Sequence, residues 1–176
     1  MPARAPTPRK KPTSPADAPD ALDEPAARVL RRFRLVFNTV KSHFRAVEKK
    51  AGVAGAQVWA LSVVAAHPDI GVGALARAMD IHQSTASNLL KPMLEGGLLL
   101  AGRSGSDRRA VQLRITPQGM RVLRRAPGPF SGVLPDALAR LDAATLARLD
   151  RDLGKLVEAL ETTDTRAGKV PLGHPD

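Results

Sequence analysis

The chain of 176 residues contains no cysteine. That absence excludes disulfide staples, thiolate zinc sites and cysteine redox sensors. The longest apolar run, at 58–66, is much shorter than the roughly 20 residues that a membrane span requires. The N-terminus also lacks the apolar core of a signal peptide. We therefore expect a cytoplasmic protein with no membrane partner.

Residue combinations that signal catalysis are missing as well. No nucleophile elbow, phosphate loop or pair of carboxylates stands out. The segment 71–76 matches G-x-G-x-x-A, but neither a buried strand before it nor a full-length helix after it is predicted, so we reject a dinucleotide site. The histidines, at positions 43, 67, 82 and 174, show no i, i+4 spacing, although folding can still bring metal ligands together. We expect no enzyme activity, no cofactor and no metal site.

Positive charge is abundant and unevenly distributed. The formal net charge is +10, of which residues 70–126 carry +6 (nine Lys/Arg and three Asp/Glu), whereas residues 127–176 carry −2 (six and eight). Concentrated positive charge indicates one surface for a polyanion, either nucleic acid or an acidic membrane surface, rather than a protein that is merely basic. Residues 1–22, rich in Pro and Ala, predict a disordered basic arm, and its contact with DNA stays open.

Apolar residues recur at helical spacing near both ends of the chain. A helix over 24–51 carries an unbroken a/d seam, and a C-terminal helix capped by Asp142 carries another. The first seam comprises Leu30, Phe33, Phe37, Val40, Phe44 and Val47, and the second comprises Leu146, Leu149, Leu153, Leu156 and Leu160. One small domain does not need both seams, so we expect interdigitated arms of a twofold dimer. The alternative is a monomer whose two helices pack on each other.

Residues 70–120 predict a helix, a tight turn, a second helix and a hairpin. A short helix over 72–79 leads into a turn where Asp80 tolerates the left-handed conformation. The second helix, over 83–95, has an apolar face and an opposite polar face without any acid, formed by Ser84, Ser87, Asn88 and Lys91. Ser and Asn hydrogen-bond base edges in the major groove and lysine holds phosphate, so this face predicts DNA binding; an ordinary solvated face is the alternative.

The predicted hairpin has a basic tip. Leucines 98–100 lead in, and Val111, Leu113 and Ile115 return with period-2 alternation toward the core. Between the strands lies the polar stretch 103–109, whose arginines suit the negative potential of a narrow minor groove. Thr116 and Pro117 then predict the N-cap and first residue of another helix.

Over about residues 24–162, this pattern resembles the MarR family of winged helix-turn-helix regulators. The resemblance rests on an ordered series of motifs: Leu75-Ala76-Arg77-Ala78-Met79, Ser84-Thr85-Ala86-Ser87-Asn88-Leu89-Leu90, Gly97-Leu98, Asp107-Arg108-Arg109 and Leu113-Arg114-Ile115-Thr116-Pro117-Gln118-Gly119. It implies a mainly α fold, a winged helix-turn-helix with a helical dimerisation region formed by N- and C-terminal helices. The corresponding division is a basic arm over 1–22, a dimerisation helix over 23–56, a DNA-binding domain over 57–120, C-terminal dimerisation helices over 121–162 and a disordered tail over 163–176.

The resemblance also implies a homodimer on a pseudo-palindromic DNA operator. The second helix would enter the major groove and the hairpin arginines the minor groove, with Asp107 bracing the wing and Arg109 as the main groove residue. The implied DNA-contacting residues are His82, Gln83, Ser84, Thr85, Ser87, Asn88, Lys91, Arg103, Ser106, Asp107, Arg108 and Arg109. Three positions depart from the family pattern: Asp80 replaces a common glycine, His82 replaces a capping serine, and Pro92 inside the helix predicts a kink.

Residues 31–50, 57–87 and 126–138 look like one branch of the family, the regulators of nicotinate catabolism, whose inducer is a hydroxylated pyridine carboxylate. The resemblance implies a pocket for a small aromatic ligand between the arm helices and the winged domain. Lys41 or His43 would hold a carboxylate while Trp59 or Phe37 stacks on the ring, although all four also fit as plain surface and core residues. We expect a ligand-responsive repressor; an architectural DNA-coating protein and a metal-responsive regulator are the alternatives.

Overall fold

The computed structural model describes residues 25–103, 111–160 and 168–172. In these ranges the elements run α1 (Pro25–Ala51), α2 (Gly55–Ala66), β1 (Ile70–Gly71), α3 (Val72–Ala78), α4 (Gln83–Glu95), β2 (Leu99–Arg103), β3 (Val111–Ile115), α5 (Pro117–Arg125), α6 (Val133–Ala139) and α7 (Ala143–Ala159). The predicted mainly α fold with a small hairpin is confirmed. The described residues contain no helix that is long and apolar enough to cross a membrane.

The chain divides into two units at Val36. Of the first unit the structure describes only residues 25–36, the beginning of α1, where Leu30 is 50% exposed. The second unit begins at Phe37 and contains every other element. In this unit α1 ends at Ala51. The next residue, Gly52, adopts a φ of +76° and donates its backbone N–H to the carbonyl of Glu48 at 2.9 Å.

The core of the second unit lies where α2 meets α3, α4, α5 and β3. The apolar character of α2 on nearly all sides predicts its burial, and Val58, Ala60, Leu61 and Val64 are indeed at most 1% exposed. Val47, near the end of α1, joins this core at 2% exposure. The other apolar residues of the seam on α1 that fall in this unit are exposed or half-buried.

Three short strands form an antiparallel sheet in the order β1-β3-β2. Leu113, in the central strand, lies opposite Ile70 on one side and Ala101 on the other, and it is fully buried. The expectation that Val111 faces the core is wrong, because this residue lies opposite Arg103 at the outer end of the hairpin and is 41% exposed. The two-residue strand β1 was not predicted, since Ile70-Gly71 is too short for an alternating pattern.

The start of α5 joins the hairpin to the core. The Thr116 hydroxyl caps the helix by accepting the N–H of Gly119 at 3.0 Å, as predicted, and donates to the carbonyl of Gly97 at 2.7 Å. A Cβ on Gly119 would overlap the carbonyl oxygen of Leu98 and lie 2.8 Å from Cγ1 of Ile115. Glycine is therefore required here by the close approach of two backbones.

We expect Gly119→Ala to lower the free energy of unfolding by about 1–3 kcal/mol, because the added methyl group forces its neighbours to shift. The matched control is Gly102→Ala, where a Cβ meets nothing within 4 Å. Urea unfolding followed by circular dichroism measures both variants. Equal midpoints for the two would contradict the close approach at Gly119.

Candidate nucleic-acid interface

A tight turn connects α3 to α4. Asp80 in this turn has a φ of +51°, the left-handed conformation that the sequence analysis allows for aspartate. The N–H of Ile81 donates to the carbonyl of Ala76 at 2.9 Å, and the N–H of Asp80 donates to that of Arg77 at 3.1 Å. These bonds close the turn and set the direction in which α4 leaves it.

Two opposite faces of α4 have different environments. Ala86, Leu89, Leu90 and Met93 are at most 2% exposed and pack into the core. Because a helix repeats every 3.6 residues, this anchoring leaves the other face in solvent. The exposed residues of that face are Gln83, Ser84, Ser87, Asn88 and Lys91, and Thr85 is half-buried. We call Ser84, Ser87, Asn88 and Lys91 the polar stripe.

The polar stripe offers several kinds of hydrogen-bonding group. The Ser87 hydroxyl donates to the carbonyl of Gln83 at 2.9 Å, so its lone pairs remain to accept from a donor in a DNA groove. The Asn88 amide both donates and accepts, which is the geometry that pairs with adenine in the major groove. Within the described part of the chain, the side chains of Ser84, Asn88 and Lys91 have no hydrogen-bond or ion-pair partner.

His82 occupies the N-cap position of α4 without a capping bond from its side chain. Its imidazole is exposed next to the polar stripe. Pro92 lies inside α4, which is continuous from Gln83 to Glu95, and the carbonyl of Pro92 accepts the N–H of Gly96 at 2.9 Å. The expected kink near Pro92 stays a prediction.

The wing is described only in its strands. The backbone of Arg103 lies at the end of β2 opposite Val111, whereas Ser106, Asp107, Arg108 and Arg109 lie outside the described residues. Their predicted contacts with DNA therefore stay predictions.

An ion pair that the sequence analysis missed braces the base of the wing. Arg114 in β3 binds Asp69 through two parallel bonds, Nε to Oδ1 at 2.5 Å and Nη2 to Oδ2 at 2.9 Å. Hydrogen bonding and charge from the guanidinium hold the pKa of Asp69 below its ordinary value of 3.8 and raise that of Arg114. Asp69, like Asp80, has a left-handed backbone, with a φ of +66°. The sequence carries no local signal for a pair 45 residues apart.

A cavity of about 420 Å³ lies along α1, and we call it the α1 groove. It is lined by Phe37, Val40, Lys41, Phe44, Arg45, Glu48 and Leu172. Of the four predicted ligand residues, Phe37 and Lys41 lie in this lining, whereas His43 and Trp59 do not. The half-buried His43 ring packs edge-on against Phe44 with centroids 5.6 Å apart, and Trp59 packs against the core. The described residues contain no group of three or more metal-ligating side chains.

Part of the C-terminal segment, expected from the sequence to be a disordered tail, has a defined position. Residues 168–172 include a short turn of 3₁₀ helix, and Pro171 is buried. Lys169 forms an ion pair with Asp80 in the turn before α4. Leu172 lines the α1 groove. Local sequence offered no signal for either contact.

The second unit contains a winged helix-turn-helix domain. This domain runs from the buried α2 through α3, the turn and α4 to the β2–β3 hairpin. Domains of this class carry a helix into a DNA groove. The MarR family model matches residues 51–110 of the chain. Over 128 residues, 72% of this chain and 72% of the relative, the chain is 30% identical to a protein of Thauera aromatica whose name assigns it to transcriptional regulation of the hcr operon. The chain belongs to the MarR family and is a transcriptional regulator, not an enzyme.

Solved structures share the fold. A MepR-like protein complexed with pseudoligands matches with a TM-score of 0.52 at 17% identity, over 77% of this chain and 92% of that chain. A mutant MarR from E. coli complexed with operator DNA matches with a TM-score of 0.50 at 15% identity, over 77% of this chain and 99% of that chain. At these identities the likeness establishes the architecture, and it confirms the predicted fold class.

We expect Asp69→Asn to remove an acid-sensitive contribution to stability. A carboxyl whose pKa is lowered on folding stabilises the fold above its unfolded pKa, near 3.8, and loses this contribution as the pH falls through the lower folded value. Asparagine keeps the size and the tolerance for a positive φ. Thermal unfolding between pH 7 and pH 2 should therefore show the wild type more stable than the variant at neutral pH, with the difference vanishing toward pH 2.

The control for that experiment is Arg114→Gln, which removes the other partner of the ion pair. It should abolish the same acid-dependent difference, because Asp69 then has no cation at hydrogen-bond distance. A variant whose stability runs parallel to that of the wild type at every pH would show that the pair contributes nothing.

Proposed function

We propose that this MarR-family regulator binds a pseudo-palindromic operator as a homodimer, with α4 in the major groove and the wing arginines Arg108 and Arg109 in the minor groove. The observation that carries the proposal is the polar stripe, which is exposed and free of acidic residues on a helix whose opposite face is buried. Base edges are read by short polar and amide side chains held on a rigid element. The name of the E. coli structure records operator DNA bound to a protein of the same fold.

A homodimer would explain the exposed apolar surface near the C-terminus. Leu146, Leu149, Leu153 and Leu156 are 37–43% exposed, and Leu160 is 66% exposed, so the described chain does not bury this seam. A twofold partner would cover it and place two α4 helices one DNA turn apart, about 34–36 Å. Sedimentation of the full chain as a single subunit would contradict the dimer.

A small aromatic acid is the effector that we propose, and its site is the α1 groove. Phe37, Val40 and Phe44 offer an apolar lining for a ring. Lys41 and Arg45 offer two cations for a carboxylate, against the single acid of the lining, Glu48. A hydroxynicotinate has this chemistry. Such a ligand would favour a dimer whose α4 spacing does not match the operator and would release a repressor from DNA in the cytoplasm.

The first test measures DNA binding by anisotropy with the region upstream of the protein's own coding sequence, at about 150 mM salt. We expect Asn88→Ala and Ser87→Ala to relax preference for the operator over scrambled DNA, with a loss of about 1–3 kcal/mol per base contact. Lys91→Ala should weaken binding to both sequences alike, because a phosphate contact carries no sequence information. Arg109→Ala should weaken binding while sedimentation still reports a dimer.

Glu95→Gln is the control for these variants. Glu95 is exposed at the end of the same helix but lies outside the polar stripe, so its replacement should leave sequence preference unchanged. An equal loss on all sequences after Asn88→Ala and Ser87→Ala would contradict base reading and would favour an architectural DNA-coating protein.

The second test is a thermal-shift and calorimetric titration with benzoate and with hydroxynicotinates. Lys41→Ala should weaken binding of the carboxylate about tenfold, the usual worth of one charged hydrogen bond. Trp59→Phe and His43→Ala should change affinity little, since neither residue lines the α1 groove. The opposite pattern, with losses at Trp59 or His43 and none at Lys41, would place the ligand elsewhere.

A further inference from the structure

One short segment near the C-terminus contacts both regions that the proposed function assigns to ligand and to DNA. We call residues 168–172 the strap. Lys169 pairs with Asp80, in the turn before α4, and Leu172 lies in the lining of the α1 groove. Pro171, between these two residues, is buried. The strap thus joins the α1 groove to the turn before α4 through four consecutive residues.

The length and composition of the strap make it suited to transmit a displacement. Three residue steps separate Lys169 from Leu172, a reach of at most about 10 Å in an extended chain. The fixed φ of Pro171 removes one of the few rotations that would let the two ends move independently. Moving Leu172 away from the groove lining therefore pulls on Lys169.

Asp80, the partner of Lys169, lies close enough to the start of α4 for its charge to affect DNA binding. The Asp80 side chain is 83% exposed, and it lies two residues before His82, the N-cap of α4. Next to a helix that enters a DNA groove, a carboxylate is repelled by phosphates, and an ammonium group paired with it offsets this repulsion. The ion pair with Lys169 thus favours the DNA-bound form.

We propose that the strap couples the α1 groove to α4. With Leu172 lining the groove, 53% exposed, and Lys169 on Asp80, the protein is in its DNA-binding form. An aromatic carboxylate that fills the groove contacts Leu172, shifts the strap and withdraws Lys169 from Asp80, so that ligand and DNA oppose each other. This inference rests on the proposed function, since it assigns the regulation of the same two sites.

The first experiment measures operator binding in a double-mutant cycle on the full chain. Lys169→Ala should weaken operator binding about two- to fivefold, within the range of an exposed ion pair. In an Asp80→Asn background, which keeps the tolerance for a positive φ, the same substitution should cause no further loss. Equal losses in both backgrounds would mean that Lys169 contacts phosphate directly, and the coupling through Asp80 would be overturned.

The second experiment uses benzoate as the ligand. Leu172→Ala should reduce several-fold the loss of operator affinity that benzoate causes in the wild type, because the ligand then lacks the side chain through which it shifts the strap. Val170→Ala is the matched control, since Val170 lies in the strap, is 48% exposed and does not line the groove. An unchanged loss of operator affinity in Leu172→Ala would overturn the coupling.

A third experiment needs neither DNA nor ligand. It therefore distinguishes a failure of the strap from a failure of the proposed function. In amide NMR spectra, Leu172→Ala should shift the signals of residues 79–82, whereas Val170→Ala should not. If the wild type fails to bind its upstream DNA, the proposed function fails, and these spectra still decide whether the strap links the two regions. No shift at residues 79–82 in a variant that remains folded overturns the strap.

Discussion

The packing of α4 on α2 and α3 is the constraint on which the DNA-facing surface depends. Ala76 and Ala86, 4% and 0% exposed, are small enough for the helices to approach closely, and Leu61 and Leu89 are buried in the same core. Since this contact leaves α4 no freedom to rotate about its axis, the residues half a turn away must face solvent. The polar stripe is thus a consequence of the core, and the turn at Asp80 sets only the direction of the helix.

The two non-glycine residues with positive φ in the described chain, Asp69 and Asp80, stand on either side of α3. Each carboxylate binds a cation from a distant part of the chain, Arg114 at a separation of 45 residues and Lys169 at 89. An aspartate tolerates the left-handed backbone that the chain needs at these corners, and it also supplies a charge there. The same two corners therefore connect the helix-turn-helix to the wing on one side and to the C-terminal segment on the other.

Burial in the single chain is concentrated in the winged domain, whereas the leucines of α7 remain more than a third exposed. The described residues leave these leucines exposed, so they do not form a monomer that covers them within the chain. Apolar surface of this extent on a helix usually marks an interface. The α1 groove differs from α7 because its lining combines aromatic rings with the charged residues Lys41, Arg45 and Glu48.

Local signals in the sequence were sufficient for most of the fold. Periodicity predicted α4 over 83–95 with its buried and exposed faces, and capping chemistry predicted the starts of α5 at Thr116 and of α7 at Asp142. These features depend on residues within one or two helical turns, so they can be derived without knowing the remainder of the chain.

Only the tertiary structure decided which distant groups meet. The pairing of Ile70 with Leu113, the bond of Arg114 to Asp69 and the contact of Lys169 with Asp80 all join segments far apart in sequence. The α1 groove includes Phe37 and Lys41 but not Trp59, although all three were equal candidates from residue type alone. The physical reason is that such contacts arise from the packing of whole elements, and composition and spacing do not encode where a folded chain brings its remote parts together.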